Sequence, residues 1–130
     1  MNETGQKILI VDDDKFLLGM YALKFKNKGY QVETVTGGAE ALQKMRDNFN
    51  PDIIMLDIIM PSIDGIEVVE TMRKEKLSPN ATIVMLTNQG DKKDIERSKK
   101  LGVHGYIVKA TTIPSEVVEE VGKIASKNKK

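Results

Sequence analysis

Lys7-Ile8-Leu9-Ile10-Val11-Asp12-Asp13-Asp14 is the stretch that decides the fold, because an apolar, mostly β-branched run passes directly into three carboxylates. A continuous run of this kind reads as a buried strand, and the aspartates mark the polar edge at which it stops. From Asp14 to Lys28 the apolar residues Phe16, Leu17, Met20, Tyr21, Leu23 and Phe25 recur at helical spacings, and Gly29 supplies a C-terminal stop. The same alternation repeats to the end of the chain. Strands are expected at Gln31–Val35, Asp52–Leu56, Thr82–Leu86 and Gly105–Val108, and helices at Gly38–Asp47, Ile66–Lys74, Lys92–Leu101 and Ser115–Ser126. Strands that are apolar throughout, joined by helices, imply a parallel sheet covered on both faces, hence a doubly wound α/β fold of five strands and five helices. All strand carboxyl ends then share one edge, and sites form there where the strand order reverses.

The bulk properties fit one soluble unit. A length of 130 residues suits a single domain, with a core expected over about residues 6–126 and a frayed tail at Lys127-Asn128-Lys129-Lys130. Its 20 basic and 19 acidic side chains nearly cancel, so no global field favours nucleic acid or an anionic membrane. The absence of cysteine removes disulfides and thiol chemistry and fits a reducing cytoplasm. The polar leader Met1–Lys7 lacks the build of a signal peptide. The most apolar segment, Ile53–Met60, is interrupted by Asp57 and is far shorter than the roughly 20 residues of a membrane span. In the last helix Val117, Val118, Val121, Ile124 and Ala125 form a packing stripe, with Thr112 or a neighbour as its cap.

Taken in order, the strand ends carry Asp12-Asp13-Asp14, Asp57, Thr87 and Lys109. Carboxylates gathered beside apolar strands repel one another and need a cation between them. Oxygen donors without nearby histidine or cysteine favour a hard ion, Mg²⁺ or Mn²⁺, with positions left for water and phosphate. Asp57 interrupts Ile-Ile-Met-Leu-Asp-Ile-Ile-Met with no packing reason to be there. Each of these residues alone has an ordinary reading as a strand-end polar group; their coincidence at one edge is the signal. The lone histidine, His104, reads as a surface loop residue. The basic helix carrying Lys92, Lys93, Arg97, Lys99 and Lys100 reads as a solvated face, and Met20, Met45, Met55, Met60, Met72 and Met85 read as core filler.

Ile8-Leu9-Ile10-Val11-Asp12-Asp13-Asp14, Met55-Leu56-Asp57-Ile58-Ile59-Met60-Pro61, Asp64-Gly65, Leu86-Thr87 and Gly105-Tyr106-Ile107-Val108-Lys109 together resemble response-regulator receiver domains in their single-domain, CheY-like form. The resemblance covers nearly the whole chain and implies the strand order 2-1-3-4-5. It implies that Asp57 accepts a phosphoryl group from a sensor histidine kinase, a histidine phosphotransfer protein or a small donor. It further implies Mg²⁺ held by Asp13, Asp57 and the carbonyl of Ile59, with Asp12 acting through a metal-bound water. Lys109 and Thr87 would meet the phosphoryl oxygens, and Thr87 and Tyr106 would relay the change. The relay would remodel the face formed by the fourth helix, fifth strand and fifth helix. Such a chain is a signalling module that catalyses only its own phosphorylation and dephosphorylation. With no output domain after the last helix, it would act on an unknown downstream protein, without nucleic acid or membrane.

Departures from the family pattern bear on function. Ala110 stands where proline usually follows the lysine, and a non-proline cis bond would cost about 2.5–4 kcal/mol. Ile59, Asn88 and Gln89 are expected to restrict water at the phosphate and lengthen the signal. Rival readings fit less well. A haloacid-dehalogenase-type phosphohydrolase wants DxDxT, which Asp57-Ile58-Ile59-Met60-Pro61 lacks, and a flavodoxin-like nucleotide binder would not place three aspartates in its first loop. A receiver-shaped docking module that is never phosphorylated shares the fold, and the loss of Asp57, Lys109 or the acidic pair would have marked it.

Overall fold

The computed structural model describes residues 5–88 and 92–128. The elements run β1 (Lys7–Val11), α1 (Lys15–Asn27), β2 (Gln31–Val35), α2 (Gly38–Arg46), β3 (Ile53–Asp57), α3 (Gly65–Glu75), β4 (Thr82–Thr87), α4 (Lys92–Lys100), β5 (Gly105–Val108) and α5 (Pro114–Asn128), with a 3-10 turn over Lys109–Thr111. All strand pairs are parallel and the order is β2-β1-β3-β4-β5, as the resemblance implied.

The central strands are apolar throughout because they serve two cores. Along β1, Ile8 and Ile10 join Tyr21, Phe25, Val117 and Val121 on the α1/α5 side, while Leu9 and Val11 join Leu42, Val69 and Met72 on the α2/α3 side. β3 divides the same way, with Ile53 and Met55 toward α1 and α5 and Ile54 and Leu56 toward α2 and α3. This period of two, with both faces buried, leaves no polar alternation along the strand. Met45, Met55, Met60, Met72 and Met85 are buried, as expected of filler, and Met20 is only half buried.

Local chemistry sets the helix starts. The Asp14 carboxylate accepts the Leu17 N–H at 3.1 Å, and Asp64 forms a reciprocal capping box with Glu67 at 2.8 and 2.9 Å. α1 ends as expected at Gly29, whose φ of 90° suits a residue without Cβ. Several boundaries differ from the sequence reading. β3 starts one residue later and includes Asp57, which pairs with Leu86 while the Ile58 N–H donates to the Leu86 carbonyl. β4 likewise includes Thr87. The cap of α5 is not the Thr112 hydroxyl: the Glu116 carboxylate accepts the N–H of its neighbour Ile113 at 3.2 Å. The supposed frayed tail is helical through Asn128, whose amide donates to the Thr82 hydroxyl at 2.8 Å; Lys129 and Lys130 lie outside the described residues.

Phe25 is fully buried and meets Tyr30 edge-on, with centroids 5.0 Å apart and planes at 83°. Phe25→Ala is expected to destabilise the fold by about 3–5 kcal/mol, the usual cost of truncating a buried phenylalanine, read as a fall in urea midpoint at unchanged slope.

Candidate functional site

β1 and β3 are adjacent, Val11 pairing with Leu56, so the next residues, Asp12 and Asp57, emerge side by side. This is also where the chain reverses its direction of winding, since β1 has β2 on one side and β3 on the other. Asp12 is fully buried and Asp57 is 4% exposed. Burial of two carboxylates is tolerable only with partners. Lys109, delivered by the 3-10 turn after β5, supplies them: its Nζ donates to Asp12 Oδ2 at 2.9 Å and to Asp57 Oδ2 at 3.0 Å. The remaining oxygens accept backbone donors, Asp12 Oδ1 from the Asp14 N–H at 2.9 Å and Asp57 Oδ1 from the Ile59 N–H at 3.3 Å.

Asp13, beside them, is exposed, and a carboxylate oxygen from each of Asp12, Asp13 and Asp57 falls within 4.8 Å of the others. Three carboxylates against one ammonium leave an excess of two negative charges in a partly dry site. Burial pushes the Asp57 carboxyl above the usual carboxylate range; Lys109 pulls it back and Asp12 adds to the rise. For Lys109, burial alone would lower the ammonium, but the hydrogen bonds and charges of Asp12 and Asp57 together outweigh it and the value is raised. An all-oxygen donor set with two uncompensated charges fits a hard divalent cation, so the residues present suit the metal the sequence implied.

Of the other expected residues, Ile59 and Asn88 line the pocket at this centre. Thr87 closes β4 and is buried. Ile59 is 63% exposed and, with Leu17, Asn88 and Ala110, lines the pocket over Asp57 and Lys109. Gln89 lies outside the described residues. Tyr106 is half buried on β5, and its hydroxyl donates to the Ile95 carbonyl of α4 at 3.3 Å. No peptide is cis among the described residues, so the Lys109–Ala110 bond is trans and the chain turns there through 3-10 geometry instead.

Two residues carry more than the sequence reading assigned. A Cβ on Gly65 would fall onto the Asp57 carbonyl oxygen, while the Gly65 N–H donates to the Ile58 carbonyl at 2.8 Å, so α3 is seated directly on the backbone of Asp57. Its sequence signal was a glycine placed between a capping aspartate and an apolar helix. His104, read as a plain surface residue, is indeed exposed, yet its Nδ1 accepts the N–H of the buried Ile83 at 2.9 Å. No sequence signal marked that bond.

The response regulator receiver domain model matches residues 8–121. The chemotaxis protein CheY of Thermotoga maritima is 34% identical over 122 residues, covering 93% of this chain and 98% of that protein. The alkaline phosphatase synthesis regulator PhoP of Bacillus subtilis is 36% identical over 113 residues, 87% of this chain but 45% of PhoP. The chain thus spans about half the length of several curated relatives it matches, and nearly all of CheY. Among solved structures, CheY4 of Vibrio cholerae superimposes with a TM-score of 0.84 at 30% identity, covering 93% of this chain and 99% of the other. Family match, sheet order and acidic centre agree: the chain belongs to the response regulator receiver domains, the signalling modules of two-component systems.

Proposed function

We propose that residues 1–130 form one receiver unit, acting in the cytoplasm as a Mg²⁺-dependent phosphoacceptor switch, with Asp57 as the nucleophile and a histidine kinase or histidine phosphotransfer protein as donor. The observation that carries this reading is the Lys109 ammonium bridging the buried Asp12 and Asp57 carboxylates, which with Asp13 beside them still leaves two negative charges unmatched. No helix among the described residues is long and apolar enough to cross a membrane.

In this reading an Asp57 carboxylate oxygen attacks the phosphohistidine phosphorus, the N–P bond breaks, and the imidazole leaves with the electron pair. Asp12, Asp13, Asp57 and the Ile59 carbonyl would hold Mg²⁺, or Mn²⁺ in its place. The ion supplies charge neutralisation for the incoming phosphoryl group. Lys109 releases part of its hold on the carboxylates to meet a phosphoryl oxygen, and the Thr87 hydroxyl meets another. The phosphoryl group carries about −1.5 to −2 charge in place of the single charge of the Asp57 carboxylate, and this larger anion draws Thr87 and Lys109 inward and biases the fold between two states. Tyr106, tied to α4 through Ile95, carries the bias to the α4-β5-α5 face, where an unidentified downstream protein reads it. Ile59 and Asn88 over the pocket slow water attack; Gln89 shares that role in the sequence reading.

The decisive experiment is intact mass after incubation with Mg²⁺ and acetyl phosphate. One added phosphoryl group, absent in Asp57→Asn and with EDTA, is expected. Failure with acetyl phosphate and with the stable mimic beryllofluoride would instead identify a phosphorylation-independent docking module.

Stability provides a second test. Because the folded Asp57 carboxyl titrates above its ordinary 3.8, ionisation opposes folding across the window from 3.8 up to that raised value. In metal-free buffer at neutral pH, Asp57→Asn should therefore melt higher than the parent, with the gap closing as pH falls toward 3.8. Mg²⁺ at a hundred times its Kd should add about 2.7 kcal/mol to the parent and much less to Asp57→Asn, measured by thermal denaturation.

Two further substitutions probe the surroundings. Gly65→Ala should lower both stability and the phosphorylation rate, since α3 must retreat from Asp57 to admit the methyl group. Asn88→Ala should shorten the aspartyl-phosphate lifetime several-fold, followed by loss of the phosphorylated mass after donor removal; an unchanged lifetime would remove Asn88 from the barrier.

A further inference from the structure

β5 is a four-residue edge strand that carries Tyr106 and delivers Lys109, so its attachment to β4 bears on both. Its regular pairing begins at Gly105, opposite Val84. One residue earlier, His104 makes two contacts with Ile83. Its backbone N–H donates to the Ile83 carbonyl at 2.9 Å, and its Nδ1 accepts the Ile83 N–H at 2.9 Å. The imidazole therefore stands where a backbone carbonyl would otherwise continue the ladder. The preceding chain has turned away, with the Val103 N–H donating to the Ser98 carbonyl at the end of α4.

We infer that His104 is a proton-sensitive clasp on the amino end of β5: the neutral imidazole holds the Ile83 N–H, and protonation releases it. A protonated imidazole carries hydrogen on both nitrogens and has no lone pair to accept with. Ile83 is completely buried, so its N–H is left without that partner when the clasp opens.

The neighbours favour the closed form at neutral pH. From α3, Arg73 donates to the Leu101 and Gly102 carbonyls at 2.9 and 3.1 Å and fixes a cation near the ring. From α5, Lys127 shares a pocket of about 260 Å³ with His104, Ile124 and Asn128. β4 contributes the neutral Ile83 and Thr82. Both charged groups are thus cations, and neither stabilises an imidazolium. Burial first, then Arg73, holds the ring below its ordinary 6.5. The clasp therefore contributes fully above pH 6.5 and is withdrawn as pH falls from there through the lower folded value. Acidification would loosen the start of β5, at the edge of the sheet opposite the acidic centre.

The test is an NMR titration of the unphosphorylated protein. The His104 Cε1–H and the Ile83 amide should shift together with one midpoint below 6.5. Ile83 amide protection should fall by about tenfold between pH 7.5 and pH 5.5 after correction for intrinsic exchange. In His104→Asn, whose side-chain oxygen keeps an acceptor near the Nδ1 position without titrating, that fall should be under about twofold. A His104 midpoint at or above 6.5, or an Ile83 amide indifferent to that titration, overturns the inference with the parent protein alone.

Discussion

One ammonium between two buried carboxylates ties the carboxyl edge of this molecule together. Lys109 reaches Asp12 and Asp57 at 2.9 and 3.0 Å, so the ends of β1, β3 and β5 converge on a single charge. Removal of Lys109 would leave two buried carboxylates uncompensated in a site with little access to water, which is far more costly than loss of an exposed ion pair. The bridge is also incomplete as a charge balance. That incompleteness suits the cluster of Asp12, Asp13 and Asp57 to a further cation.

The bridge has its geometry because the sheet beneath it is rigid. β1, β3 and β4 are packed on both faces, and their strand ends have little freedom to shift without disturbing two cores. Gly65 adds a constraint from the side, seating α3 against the Asp57 backbone where any Cβ would intrude. The Asp57 main chain is thus fixed from below by pairing with Leu86 and laterally by a helix.

The other edge of the sheet is less deeply buried. β5 is short and lies at an edge, its tyrosine is joined to α4 by one hydrogen bond, and α4 buries only Ser98 completely. Elements held by few buried contacts open most readily. Arg73 moderates this looseness by binding the carbonyls that follow α4.

The parallel α/β architecture and the identities of Asp12, Asp13, Asp57, Thr87 and Lys109 were legible in the sequence. Uninterrupted apolar strands record burial on both faces, and a carboxylate at the end of such a strand has few reasons to exist. Helix starts were legible to within a residue because capping is local chemistry. Other features were decided only by the tertiary structure. Whether Lys109 meets one carboxylate or both depends on the 3-10 turn that follows β5, a path not encoded in residue type. The inclusion of Asp57 in β3 depends on its partner in β4, and the helical end at Asn128 depends on Thr82. His104 shows the same limit, since an imidazole in a loop acquires its role from the Ile83 N–H, 21 residues away. Sequence determines what strongly local or strongly periodic forces dictate. Contacts between distant segments depend on how packed elements bring single atoms into reach.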